Sequence, residues 1–326
     1  MSTLNPMFYR LSLKHFNAIS RANIAILFLC FFLVYSNLAL ASDALAPLSR
    51  LKNGFFPGYL SKAYASYLSS NDSKCLESLD QLKINAYTTE PEKYYLLKAL
   101  CSPKDKQPAA AKEYITQALR EKGSSSDVLY AAAIIYSQLE INDEAIKHYM
   151  EAIWFNNFKK FDTKDFYFDL GTLQHKLAMY GDSKGSLEKA QTLGESSIDS
   201  KYMLCDIAIK TGDRRTAIVL ARQLSTLKSK YNSKELLMLA LMVAADPVFH
   251  KRDIAEAANL AVQLPEASIK NADVGVAAVK SLLLVDKDEA AQSKLLITLA
   301  ANPSDVRLQA LDTQIKEENA LKAESN

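Results

Sequence analysis

The chain has 326 residues, with 39 basic and 37 acidic side chains and a formal net charge of +2. So even a balance gives no electrostatic footprint for nucleic acid or for an anionic membrane surface. Nine glycines and nine prolines are few, as expected of an all-helical chain, and no low-complexity stretch interrupts it.

Residues 1–41 read as a targeting segment. Arg10, Lys14 and Arg21 precede an apolar run over residues 24–35, and Ala39-Leu40-Ala41 follows with small residues on either side of one leucine. A positive start, a short apolar stretch and an A-x-A site are the parts of a secretory signal peptide. Cleavage after Ala41 is predicted, and it leaves 285 residues with 36 basic against 37 acidic. The alternative is an uncleaved anchor over residues 22–41, a stretch that would nearly span a bilayer if Asn23, Ser36 and Asn37 were tolerated. Both readings put the remainder outside the cytoplasm: periplasmic or secreted if cleaved, inner-membrane anchored and facing the periplasm if not. Residues 42–55 read as a linker.

From residue 56 to 303 a three-term spacing recurs, small, twelve on small, seven on small or branched. It reads Ala99, Ala111, Ala118; Ala133, Ala145, Ala152; Gly171, Ser183, Ala190; Cys205, Ala217, Leu224; and Ala278, Ala290, Ile297. Ala63, Cys75 and Leu82 give a weaker first copy, and in the sixth Ala240 and Ala257 lie seventeen apart around Asp246-Pro247-Val248-Phe249-His250. Two antiparallel helices need small residues where they cross, because a large side chain there would push the backbones apart. Helix starts are predicted by cap residues three before a glutamate, at Thr89-Glu90-Pro91-Glu92, Asn232-Ser233-Lys234-Glu235 and Asp286-Lys287-Asp288-Glu289. Residues 304–326 carry Val306, Leu308, Leu311, Ile315 and Leu321 among charges, as expected of a helix that caps the end of a stack.

This spacing resembles the tetratricopeptide repeat, a helix-turn-helix unit of 34 residues. The unit from Ser126 carries Leu129, Ala132-Ala133, Tyr136, a turn at Glu140-Ile141-Asn142-Asp143, then Ala145, Tyr149 and Ala152. Successive units start near Glu92, Ser126, Lys164, Ile198, Ser233 and Asn271. The resemblance implies a right-handed all-α solenoid of six to seven helix pairs with a C-terminal capping helix. It also implies that the first helix of each pair lines a groove for a protein or peptide segment. Mapped onto this chain, those groove places are Tyr130 and Ile134; Phe168, Thr172 and His175; and Tyr202 and Asp206. Tyr130, Phe168 and Tyr202 either form an aromatic ladder in that groove or fill the inter-helix core. The subgroup that clamps a C-terminal carboxylate uses lysine and asparagine where this chain has Tyr130, Ile134 and Phe168, so no anion clamp is expected. Trp154, Phe155, Phe158 and Phe161 are predicted to pack between the third and fourth units.

Cys75 and Cys101 fall at helix ends that such a hairpin array brings side by side, so an oxidising compartment would permit a disulfide; Cys75 equally fits a buried small-residue slot. Cys205 also fills a small slot. Catalytic patterns are nearly absent. Gly181-Asp182-Ser183-Lys184-Gly185 matches G-x-S-x-G, a hydrolase reading that needs a strand before the serine, and none is predicted. His15, His148, His175 and His250 lack the spacing of paired metal ligands. No enzyme activity, metal or cofactor is expected. The sequence-based reading is a non-enzymatic adaptor of the cell envelope that binds a protein partner, not nucleic acid.

Overall fold

A computed structural model describes residues 51, 55–82, 89–102, 108–227 and 230–324; the signal segment and most of the predicted linker lie outside them. The described residues form sixteen α-helices and one short 3-10 turn, Gly58–Leu60, with no strand among them. The chain divides after Phe161 into two compact units.

The first unit holds three hairpins: α1 (Ser61–Leu68) with α2 (Asp72–Asp80), α3 (Pro91–Cys101) with α4 (Pro108–Lys122), and α5 (Ser126–Gln138) with α6 (Asn142–Phe155). The alanines at 99, 111, 118, 133, 145 and 152 are all buried where the paired helices meet, which is the close approach their spacing predicts. Cys75 and Cys101 are joined in a disulfide, with their Cα atoms 5.9 Å apart. It ties α2 to the end of α3, and closing a loop of this length stabilises by about 3 kcal/mol. The predicted cap at Thr89 does not form. Glu90 is the residue before the helix, in a left-handed conformation (φ 55°) with no side-chain cap bond. The Thr89 and Glu90 carbonyls instead accept from the Tyr59 hydroxyl at 3.0 and 3.2 Å, while Glu92 is buried and pairs with Lys122 at 3.3 Å.

The chain leaves α6 through Asn156 at φ 45° and folds back over the start of α5. Asn157 accepts the Ser126 amide at 2.8 Å, and its own amide donates to the Ser126 hydroxyl oxygen at 2.9 Å. The Asp127 carboxylate accepts three successive amides, those of Lys159, Lys160 and Phe161, at 3.0 to 3.3 Å. This clamp sets the Phe161 ring edge-on against Tyr130, centroids 4.7 Å apart, and 5.3 Å from Phe55.

The second unit holds four hairpins and a final helix. They are α7 (Thr163–Lys176) with α8 (Tyr180–Thr192), α9 (Ile198–Thr211) with α10 (Arg214–Ser225), and α11 (Ser233–Met242) with α12 (Lys251–Gln263). After the single turn α13 (Glu266–Ile269) come α14 (Ala272–Leu283) with α15 (Asp288–Ala301), then α16 (Val306–Glu324). The first small slots of two successive pairs touch the second slots directly: the Ser183 hydroxyl donates to the Gly171 carbonyl at 2.7 Å, and the Cys205 thiol lies 3.6 Å from the Ala217 carbonyl. Asn232 caps α11 as predicted. Asp286 caps nothing; it is the left-handed turn residue, and Lys287 precedes the helix.

Six hairpin turns reverse through one left-handed residue, at Ser70, Glu140, Ala178, Gly212, Ala244 and Asp286. Only Gly212 occupies that conformation without steric cost. The α14–α15 turn spans residues 284–287 where the α5–α6 turn spans 139–141. That extra residue shifts the predicted register of the last pair by one. Ala291 and Thr298 fill the slots, while Ala290 and Ile297 are only half-buried. Gly275 faces Thr298 so closely that any Cβ there would overlap its methyl group. On α16 Leu308, Leu311 and Ile315 are buried against the core; Val306 and Leu321, predicted for the same face, are exposed.

Candidate functional site

Two first helices of the second unit bring the predicted groove residues together. Phe168, Thr172 and His175 lie four and three residues apart on α7, and Tyr202 and Asp206 four apart on α9, so each set shares one helix face. His175 Nε2 and Asp206 Oδ2 meet at 2.8 Å, with about a fifth of each side chain exposed. This contact joins the two faces into one surface. Phe168 and Tyr202 are half-buried on the cluster of Leu187, Met203, Leu204 and Ile207. The Thr172 hydroxyl donates to the Phe168 carbonyl at 2.8 Å, and Tyr180 meets the His175 ring edge-on at 6.2 Å. Tyr202 stacks flat on Tyr231, centroids 3.7 Å apart, and Tyr231 donates to Asp199 at 2.9 Å.

The sequence reading missed the continuation of this surface. One turn beyond Asp206, Lys210 reaches Asp273 of α14 at 2.7 Å, and the other oxygen of Asp273 accepts Arg307 of α16 at 2.8 Å. Arg307 also holds Asp305 at 2.7 Å. The hydrogen bond to Asp273 holds the Lys210 ammonium above its ordinary value, with the Asp206 charge adding to it. Hydrogen bonds from Lys210 and then Arg307 hold the Asp273 carboxyl below its ordinary value, and Arg307 brings Asp305 down to about 2. The available signal was the 34-residue interval between Asp273 and Arg307, one repeat length with opposite charges.

Tyr130 and Ile134 do not belong to a groove. Both are fully buried, Tyr130 between Tyr149 and the clamped Phe161. Nor does the predicted aromatic cluster hold together: Trp154 is 85% exposed, whereas Phe161 packs inward within the first unit. Ser183 is a correction to the hydrolase reading. It is fully buried inside α8, follows no strand among the described residues, and spends its hydroxyl on the Gly171 carbonyl. Burial pushes the Cys205 thiol up to about 12, with Asp206 adding to the shift. A protonated, buried thiol is an inert core group. No group of three or more metal-ligating side chains occurs among the described residues.

A cavity of about 180 Å³ in the first unit is lined by Phe55, Glu90, Glu92, Lys93, Lys122 and Asp127 among others. Four of its charges form two ion pairs. Lys93 pairs with Glu90 at 2.5 Å and lies over the Phe55 ring, Lys122 with Glu92, and Asp127 with backbone amides.

No protein-family model matches the chain, and no curated protein matches it. Among solved structures it is similar to the C-terminal part of a TPR repeat-containing protein from Cytophaga hutchinsonii. That match has 15% identity over 77% of this chain and 98% of the other, with a TM-score of 0.54. It is also similar to a tetratricopeptide repeat protein from Parabacteroides merdae, with 14% identity, 79% and 97% covered, and a TM-score of 0.47. YrrB, described as a TPR protein with an unusual peptide-binding site, aligns at 17% identity over 61% and 97%, with a TM-score of 0.44. The chain is an all-α helical-repeat protein. Its hairpins have the tetratricopeptide-type fold that the small-residue spacing implies.

Proposed function

We propose that the chain is an exported, non-enzymatic adaptor that holds an extended segment of a partner protein against the α7–α9 face in the cell envelope. One observation carries the reading: the His175–Asp206 contact at 2.8 Å makes a single half-exposed surface from residues that the repeat register assigns to a groove. Aromatic faces beside it supply apolar grip at low entropy cost. The polar row holds three carboxylates, Asp206, Asp273 and Asp305, against the two cations Lys210 and Arg307. That excess suits a segment carrying a basic side chain among apolar ones.

Export is supported by residues 1–41 and by the Cys75–Cys101 disulfide, since such bonds persist in oxidising compartments. A membrane-tethered form of the same adaptor is the second reading, favoured by the length of the apolar stretch within residues 22–41. The intact mass of the exported protein separates them: a mature start at Ser42 supports the first, and retention of residues 1–41 the second. For capture, the double variant His175→Ala/Asp206→Ala is expected to lose partner binding about tenfold or more while its circular dichroism stays that of wild type. Unchanged binding by the folded double variant contradicts the reading.

A further inference from the structure

One edge of the first unit gathers lysines beside exposed aromatic rings. α3 and α5 begin there and α4 and α6 end there, around the cavity lined by Glu92, Lys122, Asp127, Lys159 and Lys160. The backbone that carries two of the lysines is fixed, because the Asp127 carboxylate accepts the Lys159 and Lys160 amides at 3.0 and 3.1 Å. Both lysine side chains are exposed, and no carboxylate among the described residues pairs with either ammonium. Lys122 is half-exposed. The acids of the cavity lie beneath these cations, Glu92 being 2% exposed and Asp127 6%, and the partly exposed Glu90 is held by Lys93. On the last turn of α4 the exposed Arg120 and Glu121 offset each other. The surface of this edge is therefore cationic, an excess that the even charge of the whole chain conceals.

The rings precede the lysines by one short loop. Trp154 is 85% exposed and Phe155 44%, both on the last turn of α6. Residues 154 to 160 span at most about 20 Å of chain, so rings and ammoniums share one patch. Glu151, a turn before Phe155, is engaged by His148 Nδ1 at 2.7 Å. An exposed indole with a second ring beside it leaves apolar area in water. Next to uncommitted lysines it has the composition of a bilayer boundary, where indole rings sit at headgroup level and lysines reach the phosphates. The chain also enters the unit here, since Phe55 lines the same cavity. A retained segment 22–41 would hold a bilayer within at most about 45 Å of chain from this edge.

We infer that this edge docks on the surface of a bilayer containing anionic phospholipid, with Trp154 and Phe155 at headgroup depth and Lys159 and Lys160 against the phosphates. The contact is independent of capture at the α7–α9 face. So few cations and rings make it weak and sensitive to salt.

Trp154 is the only tryptophan of the chain, so its fluorescence reports on this edge whether or not residues 1–41 remain attached. Titrating the exported protein with vesicles of phosphatidylcholine mixed with phosphatidylglycerol is expected to shift the emission to the blue and to shield the indole from a water-soluble quencher. Vesicles of phosphatidylcholine alone should do neither. Lys159→Gln/Lys160→Gln, with both side chains in solvent, should keep the circular dichroism of wild type and need about tenfold more anionic lipid for the same shift. No shift with anionic vesicles, an equal shift with neutral ones, or a folded double variant that titrates as wild type overturns the inference. So does a shift produced by soluble envelope proteins and not by anionic vesicles, the behaviour of an edge that docks protein.

Discussion

The two units use one repeat plan, and the same aromatic position meets opposite fates in them. In the first, Tyr130 is sealed: seven residues between α6 and α7 return over α5, Asp127 grips three of their amides, and Phe161 closes on the ring. In the second, Phe168 and Tyr202 stay half-exposed beside His175 and Asp206. A groove position in a helical repeat is thus defined twice, by register and by whatever the connecting loop lays over it. The first unit spends its loop on stability, and the second leaves its face accessible.

The sharpest break of this contrast is truncation of the rings. Tyr130→Ala should cost about 3–5 kcal/mol, as for a large buried aromatic, and Phe168→Ala clearly less. Equal losses in urea unfolding would remove the distinction between the two positions. Next in size is the covalent tie. Removing the disulfide with Cys75→Ser/Cys101→Ser should cost about 3 kcal/mol and lower the unfolding midpoint in the absence of reductant. In the wild type, neither cysteine should react with an alkylating agent in denatured protein until a reductant is added.

The packing of the second unit gives a smaller effect. Gly275→Ala adds a methyl that overlaps Thr298 and should cost about 1–3 kcal/mol of overpacking, partly offset by about 1 kcal/mol of helix propensity. Adding Thr298→Ala should recover most of that loss. The smallest effect is electrostatic. Lys210 and Arg307 lower the folded Asp273 carboxyl below its ordinary 3.8, so its contribution is complete above that value and fades as pH falls through the lower folded one. Nearly half of the side chain is exposed, which keeps the gain under about 1 kcal/mol. Asp273→Asn should flatten the acid limb of the stability profile below roughly pH 4 by that amount.

Pattern alone located the helix pairs, because small residues at 12 and 7 are a steric demand of crossing helices and nothing in tertiary context relieves it. The cap at Asn232 was legible for a similar reason, being local chemistry. What escaped was non-local. One extra turn residue moved the last pair to Ala291 and Thr298, and no local pattern marks a turn length whose left-handed residue is Asp286 rather than glycine. The burial of Tyr130 depends on a loop thirty residues away, and no local pattern marks Trp154 as exposed. The His175–Asp206 surface was half legible: the repeat register placed both residues, but their contact, and the chain from Lys210 through Asp273 to Arg307, needed the helices in space.

Site-specific photocrosslinking in cells tests the capture face most directly. A photoreactive residue at Thr172 or Lys176, on α7 beside His175, is expected to trap one partner protein. The same residue at Val219, half-exposed on the second helix α10, should trap none. Crosslinks of equal yield from Val219, or none from α7 where Val219 gives one, would contradict the assignment of the α7–α9 face.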